Sequence, residues 1–158
     1  MNEKTRLSTQ AELKVQGCTN LKLRQLMRRV AHHYDLEMAK AGLKTTQYSL
    51  LSYALKGPMR PGELARDMKM SASTLTRNLK PLIDAGWIEL TAGTDARSRT
   101  VVLTAAGRAK RDEARVHWKA AQVQLNALLG VERVLALHTL VNESLELLSP
   151  IESGADDE

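Results

Sequence analysis

The chain has 158 residues, 43% hydrophobic and 3% aromatic, with a formal net charge of +5. That length suits one domain, or one domain with dimerisation arms, and the apolar content excludes wholesale disorder. No apolar run approaches the roughly 18 residues of a membrane span, no secretory signal is expected from the polar first ten residues, and the single cysteine, Cys18, fits a cytoplasmic protein.

Residues 1–17 have no clear period and read as a flexible arm. A first helix is predicted over 19–41, where Leu23, Leu26, Met27, Val30, Tyr34 and Met38 recur at three- and four-residue steps and make one apolar stripe. Gly42 is a natural stop. Thr45 or Thr46 is placed to cap a second helix running to Leu55, which Lys56-Gly57-Pro58 ends. A short helix follows over 61–68, with Leu64 and Met68 facing inward. Ser71 is a good N-cap for a helix over 72–85, and Gly86 ends it. Residues 87–91 alternate and read as a strand; 100–103, a β-branched run, read as its returning partner. Thr104 is predicted to cap a long helix over 105–129, broken by Gly130. A last helix over 131–148 carries Val134, Leu137, Val141, Leu145 and Leu148 on one stripe, and Pro150 is expected to stop it.

A short helix, a turn, a capped helix and a hairpin, in that order, make a helix-turn-helix followed by a wing. On a helical wheel Leu75, Leu79, Leu82 and Ile83 share one face of the capped helix. Ser73, Arg77, Lys80 and Asp84 occupy the other, flanked by Thr74 and Thr76. A recognition helix needs this division. Its buried face is anchored, while its N-terminal residues enter the major groove, where Arg bonds guanine edges and Thr methyls touch thymine. The backbone N–H groups around Ser71–Thr74 suit a phosphate. Pro81, inside this helix, predicts a kink or a loosened turn just before it. Arg97 and Arg99 stand near the hairpin tip, where arginines can follow a phosphate backbone or enter a narrow minor groove. Asp95 reads as a brace for Arg97, since a carboxylate facing phosphates is repelled. The charge distribution points the same way: residues 1–133 carry +11 and residues 134–158 carry −6, a basic body with an acidic tail suited to a polyanion.

These residues resemble a known family. Gly62-Glu63-Leu64-Ala65, the run from Ser71 to Arg77, and Leu82-Ile83-Asp84-Ala85-Gly86-Trp87-Ile88 are similar to MarR-family (multiple antibiotic resistance regulator) transcription factors. So is Asp95-Ala96-Arg97 leading into Val101-Val102-Leu103-Thr104-Ala105-Ala106-Gly107. The resemblance spans about residues 18–148. It implies a structural wing Asp at Asp95 and a DNA-contacting wing Arg at Arg97. It also implies terminal helices that interleave about a two-fold axis, and sensitivity to small aromatic or phenolic acids. Arg28, His32, Tyr48 and Trp118 are the candidate lining of such an effector pocket, since Arg attracts a carboxylate and aromatics flank a ring. Cys18, at the start of the first helix with Lys14, Lys22 and Arg24 nearby in sequence, is a candidate redox sensor; the same position also suits a small apolar residue at a dimer seam.

The expected fold is therefore mainly α with a small β-hairpin wing. Residues 18–44 and 104–149 are assigned to dimerisation helices, 45–103 to the winged helix-turn-helix, and 150–158 to a disordered acidic tail. The expected function is a homodimeric DNA-binding regulator, a repressor that binds a pseudo-palindromic operator in double-stranded DNA through Ser71, Ser73, Thr74, Thr76, Arg77, Lys80, Arg97 and Arg99. An effector or thiol oxidation would release it. A winged-helix protein-interaction adaptor is the alternative. No cofactor, metal or enzymatic activity is expected. His33 and Glu37 form at most half a metal site, His117 and His138 stand far off in sequence, and no zinc-ligand spacing, Gly-rich phosphate loop or G-x-S-x-G is present.

Overall fold

The computed structural model describes residues 16–93 and 98–152. It contains α1 (Thr19–Met38), α2 (Thr45–Ala54), α3 (Pro61–Asp67), α4 (Ala72–Asp84), β1 (Ile88–Ala92), β2 (Arg99–Leu103), α5 (Ala105–Leu129) and α6 (Val131–Glu152). The strands form an antiparallel wing in which Ile88 pairs with Leu103 and Ala92 with Arg99. Met59 adds one further bridge to Val101, exchanging backbone bonds of 3.3 and 2.8 Å. The molecule is thus mainly helical with a two-stranded wing, as the sequence predicts. Among the described residues, no helix is long and apolar enough to cross a membrane.

The winged body closes around Leu50, Leu51, Leu64, Leu75, Leu82, Ile88 and Val101, all essentially without exposure. Leu75, Leu79 and Leu82 supply the buried face of α4. α5 lies against the same core through Ala114, with Trp118 packed beside it. Polar contacts tie α1 to α5. His33 Nε2 lies 2.9 Å from the Ala121 carbonyl, and the Tyr34 hydroxyl donates to Gln122 at 2.6 Å. Gln124 donates to Glu37 at 3.1 Å, and His117 Nδ1 stands 3.9 Å from Glu37. Burial raises the Tyr34 pKa above its ordinary value. The Lys40 ammonium, first, and then the Gln124 amide lower the pKa of Glu37 by hydrogen bonding to its carboxylate.

Several local expectations need correction. The α-helical part of α1 ends at Met38 and tightens into a 3-10 turn, Ala39–Ala41, before Gly42 takes a left-handed φ of 67°. The N-cap of α2 is Lys44, not Thr45 or Thr46. Thr45 already lies inside the helix, and its N–H and hydroxyl both donate to Asp35 of α1, at 2.9 and 2.7 Å. A carboxylate from a neighbouring helix therefore does the capping that a local hydroxyl was expected to do. His117, far from Glu37 in sequence, is brought beside it. Pro150 does not stop α6, which continues to Glu152. Proline removes the backbone donor that would meet the Glu146 carbonyl, and at the exposed Glu146 water can take that place. The tail 153–158, the arm 1–15 and the wing residues Asp95 and Arg97 lie outside the described residues.

The apolar stripes of α1 and α6 are where the sequence puts them, but only part of each is covered. Met38 of α1 and Val134 of α6 are buried, whereas Leu23, Met27, Val141, Leu145 and Leu148 are 41–63% exposed.

Candidate nucleic-acid interface

Ser71 has extended backbone, and its hydroxyl accepts from the Thr74 N–H at 3.2 Å, the bond that starts α4. The Ser71 and Thr74 hydroxyls lie 2.9 Å apart and those of Ser71 and Ser73 3.1 Å apart, so the three make one exposed cluster at the helix N-terminus. The N-terminal N–H groups and the helix dipole favour an anion there. The Thr76 hydroxyl is turned back onto the helix, donating to the Ala72 carbonyl at 2.9 Å. Lys80 is paired with Asp84 at 3.0 Å, both largely exposed. Arg77 is exposed, and among the described residues its guanidinium has no hydrogen-bond or ion-pair partner. The sequence treats these side chains as one polar face; the structure ranks them. Arg77 is free for a base edge, Lys80 must first leave Asp84, and Ser71 and Thr76 already have bonds of their own. Arg99 is exposed on β2, opposite Ala92.

α4 runs unbroken through Pro81, and its backbone bonding resumes beyond it, with the Ala85 N–H donating to the Pro81 carbonyl at 3.1 Å. The helix closes on Gly86, φ 71°, as the Trp87 N–H reaches back to the Leu82 carbonyl at 2.9 Å. The turn between α3 and α4 uses the same device without glycine. Lys69 has φ 53°, and the Met70 N–H donates to the Ala65 carbonyl at 2.9 Å. A left-handed lysine costs about 1–2 kcal/mol, and its exposed side chain adds a cation beside the N-cap of α4. Sequence reasoning missed it because the turn holds no Gly or Asn.

A basic helix with a capped, polar-faced N-terminus, set beside a wing, is built to approach DNA. The family model described as MarR family matches residues 41–98. The HTH-type transcriptional regulator YwoH of Bacillus subtilis is 33% identical over 96 residues, 60% of this chain and 69% of the relative. The chain belongs to the MarR family. It is a DNA-binding transcriptional regulator of the winged helix-turn-helix class, in a family that is not enzymatic. Two solved structures extend the likeness beyond the winged body. The M. tuberculosis regulator MosR, crystallised with DNA, is 32% identical with a TM-score of 0.68, covering 81% of this chain and 98% of MosR. A probable transcriptional regulator from Pseudomonas aeruginosa is 27% identical with a TM-score of 0.73, covering 79% and 95%.

The four residues proposed for an effector pocket divide between two grooves. Arg28 and His32 line an open groove of about 490 Å³ on α1 with Gln25 and Arg29. Tyr48 and Trp118 line another, of about 350 Å³, between α2 and α5. In the second groove the two rings stack at 6.0 Å and 25°, and the Arg111 guanidinium sits 6.0 Å from the Tyr48 ring centre. Arg111 also donates to Ser52 at 3.4 Å. Sequence reading missed Arg111, Arg115, Ser52 and Tyr53 of this groove, because nothing local marks which face of a 25-residue helix meets α2. Cys18 is the exposed N-cap of α1, and its carbonyl accepts from the Lys22 N–H at 3.1 Å. Among the described residues no group of three or more His, Cys, Asp or Glu side chains is placed to hold a metal.

Proposed function

We propose that this MarR-family chain is a cytoplasmic homodimeric repressor that binds a pseudo-palindromic operator and is released by a small aromatic acid. Arg77, on the outward face of α4 and without a partner among the described residues, carries the operator reading: an exposed guanidinium on a recognition helix suits bidentate contact with guanine. Ser73, Thr74 and Lys80 contribute positioning contacts, with Arg99 and Arg97 on the flanking groove and Asp95 bracing the wing. The uncovered leucines and valines of α1 and α6 support dimerisation, since large apolar patches on an isolated chain mark an interface. Residues 18–44 and 104–149 then act as dimerisation helices and 45–103 as the DNA-binding unit. Two recognition helices read half-sites about 10 bp apart or a multiple of it.

The stacked Tyr48 and Trp118 with Arg111 beside them favour the groove between α2 and α5 as the effector site, an aromatic wall with a cation for a carboxylate. Arg28 and His32 stand in the other groove and serve as the second candidate. An inducer must bind the DNA-incompetent state more tightly than the competent one. Oxidation of the exposed Cys18 is a second route to the same shift.

Selection of binding sites from a random duplex pool with reduced protein tests this reading. The expected result is an enriched inverted repeat. Aromatic acids, and separately an oxidant, are then screened for release of that duplex. A folded protein that enriches no repeat counts against the operator reading and favours the adaptor role. Release by an oxidant that persists in Cys18→Ser counts against the thiol route.

A further inference from the structure

We propose that the packing of Gly107 against the Trp87 carbonyl is the joint that fixes α4 relative to α5, and so sets the half-site spacing that the dimer accepts. The inference rests on the dimeric operator reading above. α5 leaves the wing at Thr104, whose N–H donates to the Trp87 carbonyl at 3.1 Å. The Thr104 hydroxyl donates to the Gly86 carbonyl at 2.7 Å and accepts from the Gly107 N–H at 3.0 Å. Gly86 and Trp87 are the residues that close α4. The last turn of the recognition helix and the first turn of α5 are therefore held by one shared set of hydrogen bonds.

Gly107 completes the joint. It is buried and has no left-handed φ, so glycine is needed here for space rather than for backbone freedom. A Cβ at this position would overlap the Trp87 carbonyl oxygen and lie 2.8 Å from Leu103 Cδ1. The first obstacle is backbone, which cannot swing aside as a side-chain tip can. One turn further on, Lys110 Nζ stands 5.6 Å from the Trp87 ring centre and braces the same contact. From Gly107 α5 runs on to Leu129, about 33 Å at 1.5 Å per residue, so a small change of angle at its first turn becomes a large displacement along it. The groove holding Arg111 and Trp118 begins one turn past Gly107, where an occupant between α2 and α5 would load the joint.

The test uses full-length Gly107→Ala and Thr104→Val on duplexes carrying the selected half-sites, with the spacer changed in steps of one base pair. Wild type is expected to show one sharp optimum. In Gly107→Ala the Trp87 carbonyl must retreat by on the order of 1 Å to reach van der Waals separation. Applied at two symmetry-related joints, that is about 2 Å before the length of α5 enlarges it, against a rise of about 3.4 Å per base pair. Gly107→Ala is therefore expected to lose on the order of tenfold at the wild-type spacing and to move its optimum by about one base pair. Thr104→Val keeps the side-chain shape but removes the shared hydroxyl, and is expected to broaden the optimum. Binding to a duplex with a single half-site should change in neither variant. Weakening that is uniform over all spacings, or profiles identical to wild type, overturns the proposal. If Gly107→Ala does not fold, the Thr104→Val profile decides alone: a broadened optimum supports the joint and an unchanged one overturns it. A wild type without any spacing optimum overturns the dimeric reading, and the joint falls with it.

Discussion

Replacing Arg77 with Ala separates base reading from general attraction to DNA. Arg77 is exposed and has no partner among the described residues, so the substitution breaks nothing within the protein, and its stability should stay within about 0.5 kcal/mol of wild type. The whole effect falls on the complex. One bidentate arginine–guanine contact gives about 1–3 kcal/mol of discrimination. A dimer loses two such contacts, far enough apart to add, for about 2–6 kcal/mol; at about 1.4 kcal/mol per tenfold that is from ~30-fold to ~20,000-fold in operator affinity. Lys80→Ala sets the contrast. Its ammonium is held 3.0 Å from Asp84, and an exposed pair of this kind retains about 0.2–1 kcal/mol that DNA must first overcome. Its loss should be smaller, equal on operator and scrambled duplex, and accompanied by a shallower salt dependence. Fluorescence anisotropy on both duplexes at two salt concentrations, with a thermal melt of each variant, reads all of this. If Arg77→Ala weakens both duplexes equally, or keeps the wild-type operator preference, the assignment of Arg77 to a base edge is wrong.

Asp84→Asn frees Lys80 and removes a carboxylate from the outward face of α4, so affinity for scrambled duplex should rise about two- to five-fold, with a salt slope steeper by about one; unchanged values on both counts would show that the pair does not hold Lys80 back. Leu82 is fully buried, so Leu82→Ala should cost about 2–5 kcal/mol in urea unfolding with an unchanged m-value, and a cost under ~1 kcal/mol would place it outside the core. The pKa of Glu37 lies below the ordinary carboxylate value, first through Lys40 and then through Gln124. A depressed folded pKa means that this stabilisation is complete above the ordinary carboxylate range and is lost as pH falls through the lowered value. Glu37→Gln should therefore flatten the acid side of the stability–pH profile, and a profile parallel to wild type would show that the Lys40 and Gln124 hydrogen bonds to Glu37 add nothing to stability.

Most of the secondary structure was legible because its signals are local. Ser71 and Thr104 cap α4 and α5 through hydroxyls that accept the Thr74 and Gly107 N–H groups, an interaction three residues long. Gly42, Gly86 and Gly130 end helices in conformations with positive φ. The leucines of α4 repeat at the helical period, and the buried set matches that stripe. Lys69 shows the limit. It takes the left-handed conformation at the end of α3 although lysine carries no such signal, because the path between the two packed helices demands it. Pro150 shows the opposite failure, a local stop signal that α6 overrides.

The candidate site was legible only along one helix. Ser73, Arg77, Lys80 and Asp84 follow from the wheel, but which cation is free does not, because pairing depends on rotamers and distances. The effector groove was legible still less. Tyr48 and Trp118 carried an aromatic signal, whereas Arg111 and Ser52, joined across 59 positions of sequence, did not.

By itself the sequence determined the order of elements, the caps of α4 and α5, the buried stripe of α4 and the polar face opposite it, since each rests on contacts within a turn or two of chain. Only the tertiary structure decided that Asp35 caps α2, that His117 stands beside Glu37, that Tyr48 stacks on Trp118, and that Thr104 bonds to Gly86 at the end of α4. Those pairings depend on where one helix crosses another, and crossing is set by how side chains on both surfaces interlock, which no periodicity along a single helix records.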